Sequence, residues 1–365
     1  MNDPVNKDHS EKDRSSPNKN NNQKGDPDAG ENYQGMSQEG KKENQVYTYT
    51  APWNIYAMGF SSRPDKKHRM GIGSFLEDID NKIEIIQLDD DYEGFEVKGS
   101  FTHKYPPTKL MWIPDLEGVC PDILATSGET LKIWHVKEDN TVELMSDMVN
   151  NKQIEFSAPL TSFDWYPSNM ALIGTSSIDT TCTIWNIEKG VVYTQLIAHD
   201  KEVYDISFSS EENIFASVGA DGSARQFDLR NLEHSTVLHE TEDGKPLLRL
   251  AWNKIDPNYL AVFGMDHSYV TILDIRQPMK VLTKLVNHKD CVNALAWAPQ
   301  SSSHICSVGD DCQALIWDIG EMRPELTEPL LEYRADAEIT SLTWSILQYE
   351  WLGICFAKTL QILKV

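Results

Sequence analysis

The sequence lacks the features that would place it in a membrane, on a nucleic acid or around a metal. No stretch approaches the roughly eighteen consecutive apolar residues of a membrane-spanning helix, and no basic-then-apolar leader opens the chain. Neither a membrane partner nor secretion is expected. The six cysteines (Cys120, Cys182, Cys291, Cys306, Cys312, Cys355) form no Cys-x-x-Cys pair and have no histidine at zinc-finger spacing. Reduced thiols packed as small hydrophobes are expected, with no metal and no cofactor. Positive charge is scarce, with 33 Lys and Arg against 56 Asp and Glu and a formal net charge of −23. Affinity for nucleic acid comes largely from cations that displace phosphate counterions, so direct nucleic-acid binding is not expected. Arg63, Lys66, Lys67, His68 and Arg69 are a local basic exception, read as a solvated loop rather than a patch for an acidic partner.

Aliphatic residues are also almost absent from the first 45 positions, which are dominated by Asn, Lys, Asp, Glu, Ser, Gly and Gln. Such a segment cannot bury enough surface to offset its ordering entropy, so residues 1–45 are expected to be a disordered tail. It holds seven basic and nine acidic residues, which leaves about −21 of the charge on the remainder. From Val46 to Val365 short runs rich in Val, Ile, Tyr and Trp take over, marking a folded domain over 46–365.

That domain repeats. Leu131-Lys-Ile-Trp134-His-Val, Cys182-Thr-Ile-Trp185-Asn-Ile and Ala314-Leu-Ile-Trp317-Asp-Ile share one frame, and weaker copies centre on Ile86, Phe227, Leu273 and Leu363. The seven positions are spaced by 48, 51, 42, 46, 44 and 46 residues, the length of a four-stranded propeller blade. An all-β, seven-bladed WD-repeat β-propeller follows. Small-residue strands such as Ala125-Thr-Ser-Gly128 and Gly174-Thr-Ser-Ser177 suit positions squeezed between blades near the axis. The seventh unit supplies three strands only, and Val46-Tyr-Thr-Tyr-Thr50 alternates as a strand should, so it is expected to complete the last blade and remove the open edge.

The same repeat accounts for polar residues that could pass for a hydrolase. His199, Ser217 and Asp221 stand 28, 10 and 6 residues before Phe227; His288, Ser307 and Asp311 stand 29, 10 and 6 before Trp317; Thr175 and Asp179 stand 10 and 6 before Trp185. A nucleophile occurs once in a fold, whereas this set returns at fixed spacing. A structural hydrogen-bond network tying a turn to the preceding loop is therefore expected, with no catalytic residue. No Gly-x-Ser-x-Gly elbow, His-Glu-x-x-His helix or phosphate loop is present either.

Several segments go beyond the generic repeat: Ala51-Pro-Trp-Asn-Ile-Tyr-Ala57, Lys109-Leu-Met-Trp-Ile-Pro114, Ala158-Pro-Leu-Thr-Ser-Phe-Asp-Trp165 and Gln195-Leu-Ile-Ala-His-Asp-Lys-Glu-Val-Tyr-Asp205. In these the chain resembles the WD-repeat family of plant Transparent Testa Glabra and Anthocyanin-eleven proteins and their animal counterpart, a cullin-four-associated factor. The resemblance implies a non-enzymatic scaffold of nucleus and cytoplasm. Its implied partners are MYB or basic helix-loop-helix transcription regulators, and protein kinases of the dual-specificity tyrosine-regulated and homeodomain-interacting classes. It also implies an alternative role as substrate receptor on the damaged-DNA-binding adaptor of cullin-four ubiquitin ligases. The ligase motif, an aromatic followed by Asp, any residue and Arg, is approximated by Phe227-Asp228-Leu-Arg230 and Leu273-Asp274-Ile-Arg276, each without the usual tryptophan. Asp228, Arg230, Asp274 and Arg276 are thus candidates for partner binding; alternatively, the two arginines pair with surface carboxylates.

Overall fold

The first four repeats each fold into a four-stranded antiparallel sheet whose strands are consecutive in sequence, the arrangement that short turns and period-two apolar patterning dictate. The computed structural model describes residues 46–77, 80–89, 91, 94–149, 158–321 and 323–365. The tail expected to be disordered, residues 1–45, lies outside them. Among the described residues there is no helix, and the sheets number seven.

Blade 1 runs from Ile55–Phe60 to Phe95–His103, blade 2 from Lys109–Trp112 to Val142–Met148, and blade 3 from Leu160–Trp165 to Val191–Ile197. Blade 4 spans Val203–Phe208 to Asn231–Glu240, blade 5 Leu247–Trp252 to Val281–Val286, and blade 6 Val292–Trp297 to Leu331–Arg334. Blade 7 takes Ser341–Trp344, Trp351–Phe356 and Thr359–Lys364 from the C-terminus and Val46–Thr50 from the other end of the domain. Val46 pairs with Leu363, Thr48 with Gln361 and Thr50 with Thr359, so the closing strand is in register over its whole length.

The core lies between blades rather than within them. Each of the seven junctions holds its own apolar cluster: Ile133 of blade 2 packs with Phe163 and Trp165 of blade 3, and Phe263 of blade 5 with Trp297 and Trp317 of blade 6. Ile55 and Ile72 of blade 1 join Tyr47 and Trp351 of blade 7. The small residues are needed here. A Cβ on Gly174 would stand 2.9 Å from the Phe208 ring and 3.0 Å from Ile206 of the next blade, closer than carbon atoms pack. Polar staples cross the junctions as well. Trp112 Nε1 donates to Gly59 O (3.1 Å), Trp297 Nε1 to Ala251 O (2.9 Å) and Thr161 Oγ1 to Val203 O (2.6 Å).

Two features depart from the sequence expectations. Blade 5 has a fifth strand, Glu325–Leu326, which leaves the long connection of blade 6 and pairs in parallel with Lys284 and Leu285. The basic cluster is not one solvated loop. Arg63 and Lys66 are half-buried, but His68 and Arg69 are buried, and Arg69 begins the strand Arg69–Ser74. Its guanidinium lies 4.2 Å over the Trp112 ring and pairs with both oxygens of Asp122 at 2.6 and 2.7 Å, so a partner on blade 2 compensates its desolvation.

Candidate interaction surface

The turn between the second and third strands of a blade must be fixed to the loop entering that blade, and polar side chains do this by one chain of hydrogen bonds. Blade 6 carries it complete. Trp317 Nε1 donates to Ser307 Oγ (2.9 Å), Ser307 Oγ lies 2.8 Å from His288 Nε2, and His288 Nδ1 lies 3.0 Å from Asp311. Indole can only donate, so with a neutral imidazole the serine hydroxyl donates to Nε2 and Nδ1–H donates to Asp311. Asp311 in turn accepts from the Lys289 and Gln313 amides at 3.0 and 3.2 Å, joining loop to turn.

Blade 4 repeats this without the indole. Ser217 Oγ is 2.7 Å from His199 Nε2, and His199 Nδ1 is 3.0 Å from Asp221, but Phe227 offers no donor. In blade 3, Trp185 Nε1 donates to Thr175 Oγ1 (2.9 Å), and Asp179 caps its own turn through the Thr181 amide and hydroxyl. Ser217 and Ser307 have no solvent exposure, and His199 and His288 are buried, so no substrate can reach either hydroxyl.

Two more networks escape the spacing rule. In blade 2, Trp134 Nε1 donates to Thr126 Oγ1 (2.9 Å), which lies 3.2 Å from His103 Nε2, while His103 Nδ1 is bound by the Tyr105 carbonyl. Thr126 precedes Trp134 by 8 residues rather than 10, because the turn is two residues shorter and has no room for the aspartate. Burial holds the His103 pKa below its ordinary value, which keeps the ring neutral. In blade 5 the partners are exchanged. Asp243 comes from the entering loop and His267 from the turn, 30 and 6 residues before Leu273, and Oδ2 and Nε2 are 3.0 Å apart. A search that fixed the turn position, let the loop position range over 28–30 residues and allowed either residue type would have found this pair.

Two predictions arise from these contacts. Ser307→Ala strands a buried indole N–H and a buried imidazole nitrogen, so it is expected to cost about 2–3 kcal/mol in urea unfolding, against about 1–2 for Ser217→Ala, which strands one group. Equal losses would show that the indole bond contributes nothing.

Acid should also weaken the fold. Burial alone would raise Asp221, but the His199 hydrogen bond and charge, with the Ser223 hydroxyl and amide, hold its carboxyl well below the usual range. Asp243 is lowered likewise, chiefly by His267. A carboxyl whose folded pKa is depressed stabilises the fold above its unfolded value near ~3.9, and that contribution is lost as pH falls below it. The urea midpoint should therefore fall as pH drops from 5 to 3, and less steeply in Asp221→Asn.

The four motif residues sit at the ends of the third strands of blades 4 and 5. Arg230 donates Nε and Nη2 to Asp228 at 2.8 and 2.6 Å. Arg276 donates to Asp274 at 2.8 Å through each of the same nitrogens. Each arginine thus pairs with its own motif aspartate, and each pair is closed by the arginine's backbone amide at 2.9 and 3.0 Å. Asp274 is buried while the Arg276 side chain is 57% exposed, so a fixed carboxylate holds an exposed guanidinium in one orientation. Arg276 is pushed above its usual value, and Asp228 and Asp274 below theirs, first of all by these hydrogen bonds.

Comparison with known proteins agrees with the repeat. The WD domain, G-beta repeat profile matches residues 190–228 and 279–318, within blades 3–4 and 5–6. The chain is 54% identical over 324 residues to the DDB1- and CUL4-associated factor 7 homolog of Dictyostelium discoideum, covering 89% of this chain and 100% of that protein. It is 32% identical to an uncharacterized WD repeat-containing protein of Schizosaccharomyces pombe, over 87% of this chain and 89% of that one. It is 27% identical to the histone acetyltransferase type B subunit 2 of Candida glabrata, over 68% and 59%.

Proposed function

Because the chain belongs to the WD-repeat family that includes the DDB1- and CUL4-associated factor 7 homolog, we propose that it is a non-enzymatic scaffold that holds other proteins together. One observation carries this reading: each Ser–His–Asp set that could imitate a catalytic centre is buried and engaged in holding a turn, which leaves exposed faces and edges as what the ring offers. Its cargo, on the family resemblance, is protein kinases of the dual-specificity tyrosine-regulated and homeodomain-interacting classes and MYB or basic helix-loop-helix regulators, in nucleus and cytoplasm.

A second reading is favoured by the similarity to the DDB1- and CUL4-associated factor 7 homolog of Dictyostelium and by the two exposed arginines. The ring also serves as a substrate receptor that docks on a DDB1-type adaptor of cullin-four ligases through Arg230 and Arg276. Tagged full-length chain, wild type and Arg230→Ala/Arg276→Ala, is used to capture partners from native extract, with quantitative mass spectrometry. The double variant is expected to retain kinases and transcription regulators and to lose the adaptor at least tenfold, about 1.4 kcal/mol or more. Adaptor capture that ignores both arginines removes them from that interface. Wild-type chain that enriches no partner sinks the scaffold reading.

A further inference from the structure

Every blade ends in an outer strand whose far edge presents N–H and C=O groups, and natural sheets blunt such edges with charge or cover them. Blades 1, 2, 4 and 6 place charges there: Glu96 and Lys98, Glu143 and Asp147, Glu233 and Glu240, Glu332 and Arg334. Blade 5 has Lys284 and is covered by Glu325–Leu326. The closing strand of blade 7 is uncharged, but its exposed residues are threonines and its Tyr47 is buried. Blade 3 does none of these things. Val191–Ile197 has no charged residue, and its exposed alternate side chains are Val191, Tyr193, Gln195 and Ile197, of which the three apolar ones are 50, 62 and 77% exposed while Gln195 donates to Thr181 Oγ1. Among the described residues no strand pairs with its outer edge.

We infer that this edge binds an extended segment of a partner protein, apolar at alternate positions and flanked by Lys or Arg, which adds a fifth strand to blade 3. The inference rests on the scaffold reading and names one of its contact surfaces. The rim of this propeller already accepts an added strand, since Glu325–Leu326 occupies the corresponding edge of blade 5. Main-chain pairing would supply affinity, and the exposed row would select side chains at every second position, apolar ones beside Val191, Tyr193 and Ile197 and one that tolerates Gln195.

Charge decides the occupant's flanks. The outer strands of the two neighbouring blades carry four carboxylates and no Lys or Arg. Glu143 and Asp147 are matched by Lys137 and Lys132, whereas Glu233 and Glu240 make no ion pair among the described residues. A second copy of the chain is the poorer occupant. Each copy brings −23, and a pair of seven-residue strands falls well short of the ~1,600 Å² of a standard interface.

The test uses full-length chain and a fluorescein-labelled synthetic peptide, Lys-Arg-Val-Thr-Val-Tyr-Val-Thr-Lys-Arg, followed by anisotropy. Saturable binding that weakens several-fold from 50 to 300 mM salt is expected, because the flanking attraction is screened. Tyr193→Lys/Ile197→Lys should weaken it at least tenfold. Tyr193→Thr/Ile197→Thr, which keeps strand preference, should weaken it less but measurably, and Glu233→Lys/Glu240→Lys should remove most of the salt dependence. Unfolding curves of all variants should overlay that of the wild type, since the changed side chains are exposed. Absence of saturable binding, or binding that ignores both Tyr193/Ile197 variants, overturns the inference. So does self-association that strengthens with salt and is lost in the same variants, which would assign the edge to a second copy. Adaptor capture through Arg230 and Arg276 is measured in parallel and should be unchanged, so failure of this edge is distinguishable from failure of the scaffold reading.

Discussion

Removal of residues 1–50 is expected to leave a protein that does not fold to a soluble monomer, whereas removal of residues 1–40 leaves the urea midpoint unchanged. The difference is the strand Val46–Thr50. It is the outer strand of a blade whose other three strands come from the far end of the domain, so it latches the ring as a clasp rather than extending it. Tyr47 is 6% exposed and its ring centroid lies 5.7 Å from that of Trp351, inside the cluster that joins blades 7 and 1. The backbone adds further ties: the Ala51 amide donates to Lys358 O and the Ile55 amide to Ala357 O, both at 2.8 Å.

Losing the strand both bares the edge Thr359–Lys364 and removes Tyr47 from that cluster, and exposed apolar edges aggregate. Tyr47→Ala alone is expected to cost about 3–5 kcal/mol, the usual effect of truncating a buried aromatic. A deletion through Thr50 that unfolds cooperatively at the wild-type midpoint would show that the ring is held by blade packing alone.

The second large effect is expected at the junction of blades 1 and 2. Asp122→Ala leaves the Arg69 guanidinium, 1% exposed, without its bidentate partner, and breaking a buried pair from one side costs about 3–5 kcal/mol. Ser61 Oγ at 2.8 Å and the Trp112 ring remain as neighbours, but neither neutralises the charge. Replacing both partners, as Arg69→Met/Asp122→Leu, should recover much of the loss, because an apolar pair of similar volume needs no desolvation. Urea unfolding of the two single variants and the double measures the coupling. Strict additivity would mean that Arg69 contributes by packing alone.

These two sites divide what can be read from the chain from what cannot. The closing strand is legible because Val46-Tyr-Thr-Tyr-Thr50 alternates and the last unit is one strand short, and both facts lie in the local pattern. Arg69 is not legible. Beside Arg63, Lys66 and Lys67 it resembles any exposed basic run, and its partner stands 53 residues away on another blade. The partner-exchanged His267–Asp243 pair shows the intermediate case, in which the positions obey the repeat and the residue types do not.

By itself the sequence determined the number of blades, their frame, and the residues that fix the turns of blades 3, 4 and 6, because strand alternation, turn length and loop-to-turn hydrogen bonds recur with the repeat. Only the tertiary structure decided which charges are buried, how the two motif arginines are held by Asp228 and Asp274, and which uncharged rim strand pairs with no further strand among the described residues. Those outcomes depend on what the neighbouring blade or a distant loop presents. The strand Glu325–Leu326 covers blade 5 because a long connection from blade 6 reaches its edge, and no such connection reaches Val191–Ile197 among the described residues. Contacts between repeats need not follow the period of the repeat, so they leave no periodic mark in the sequence that encodes them.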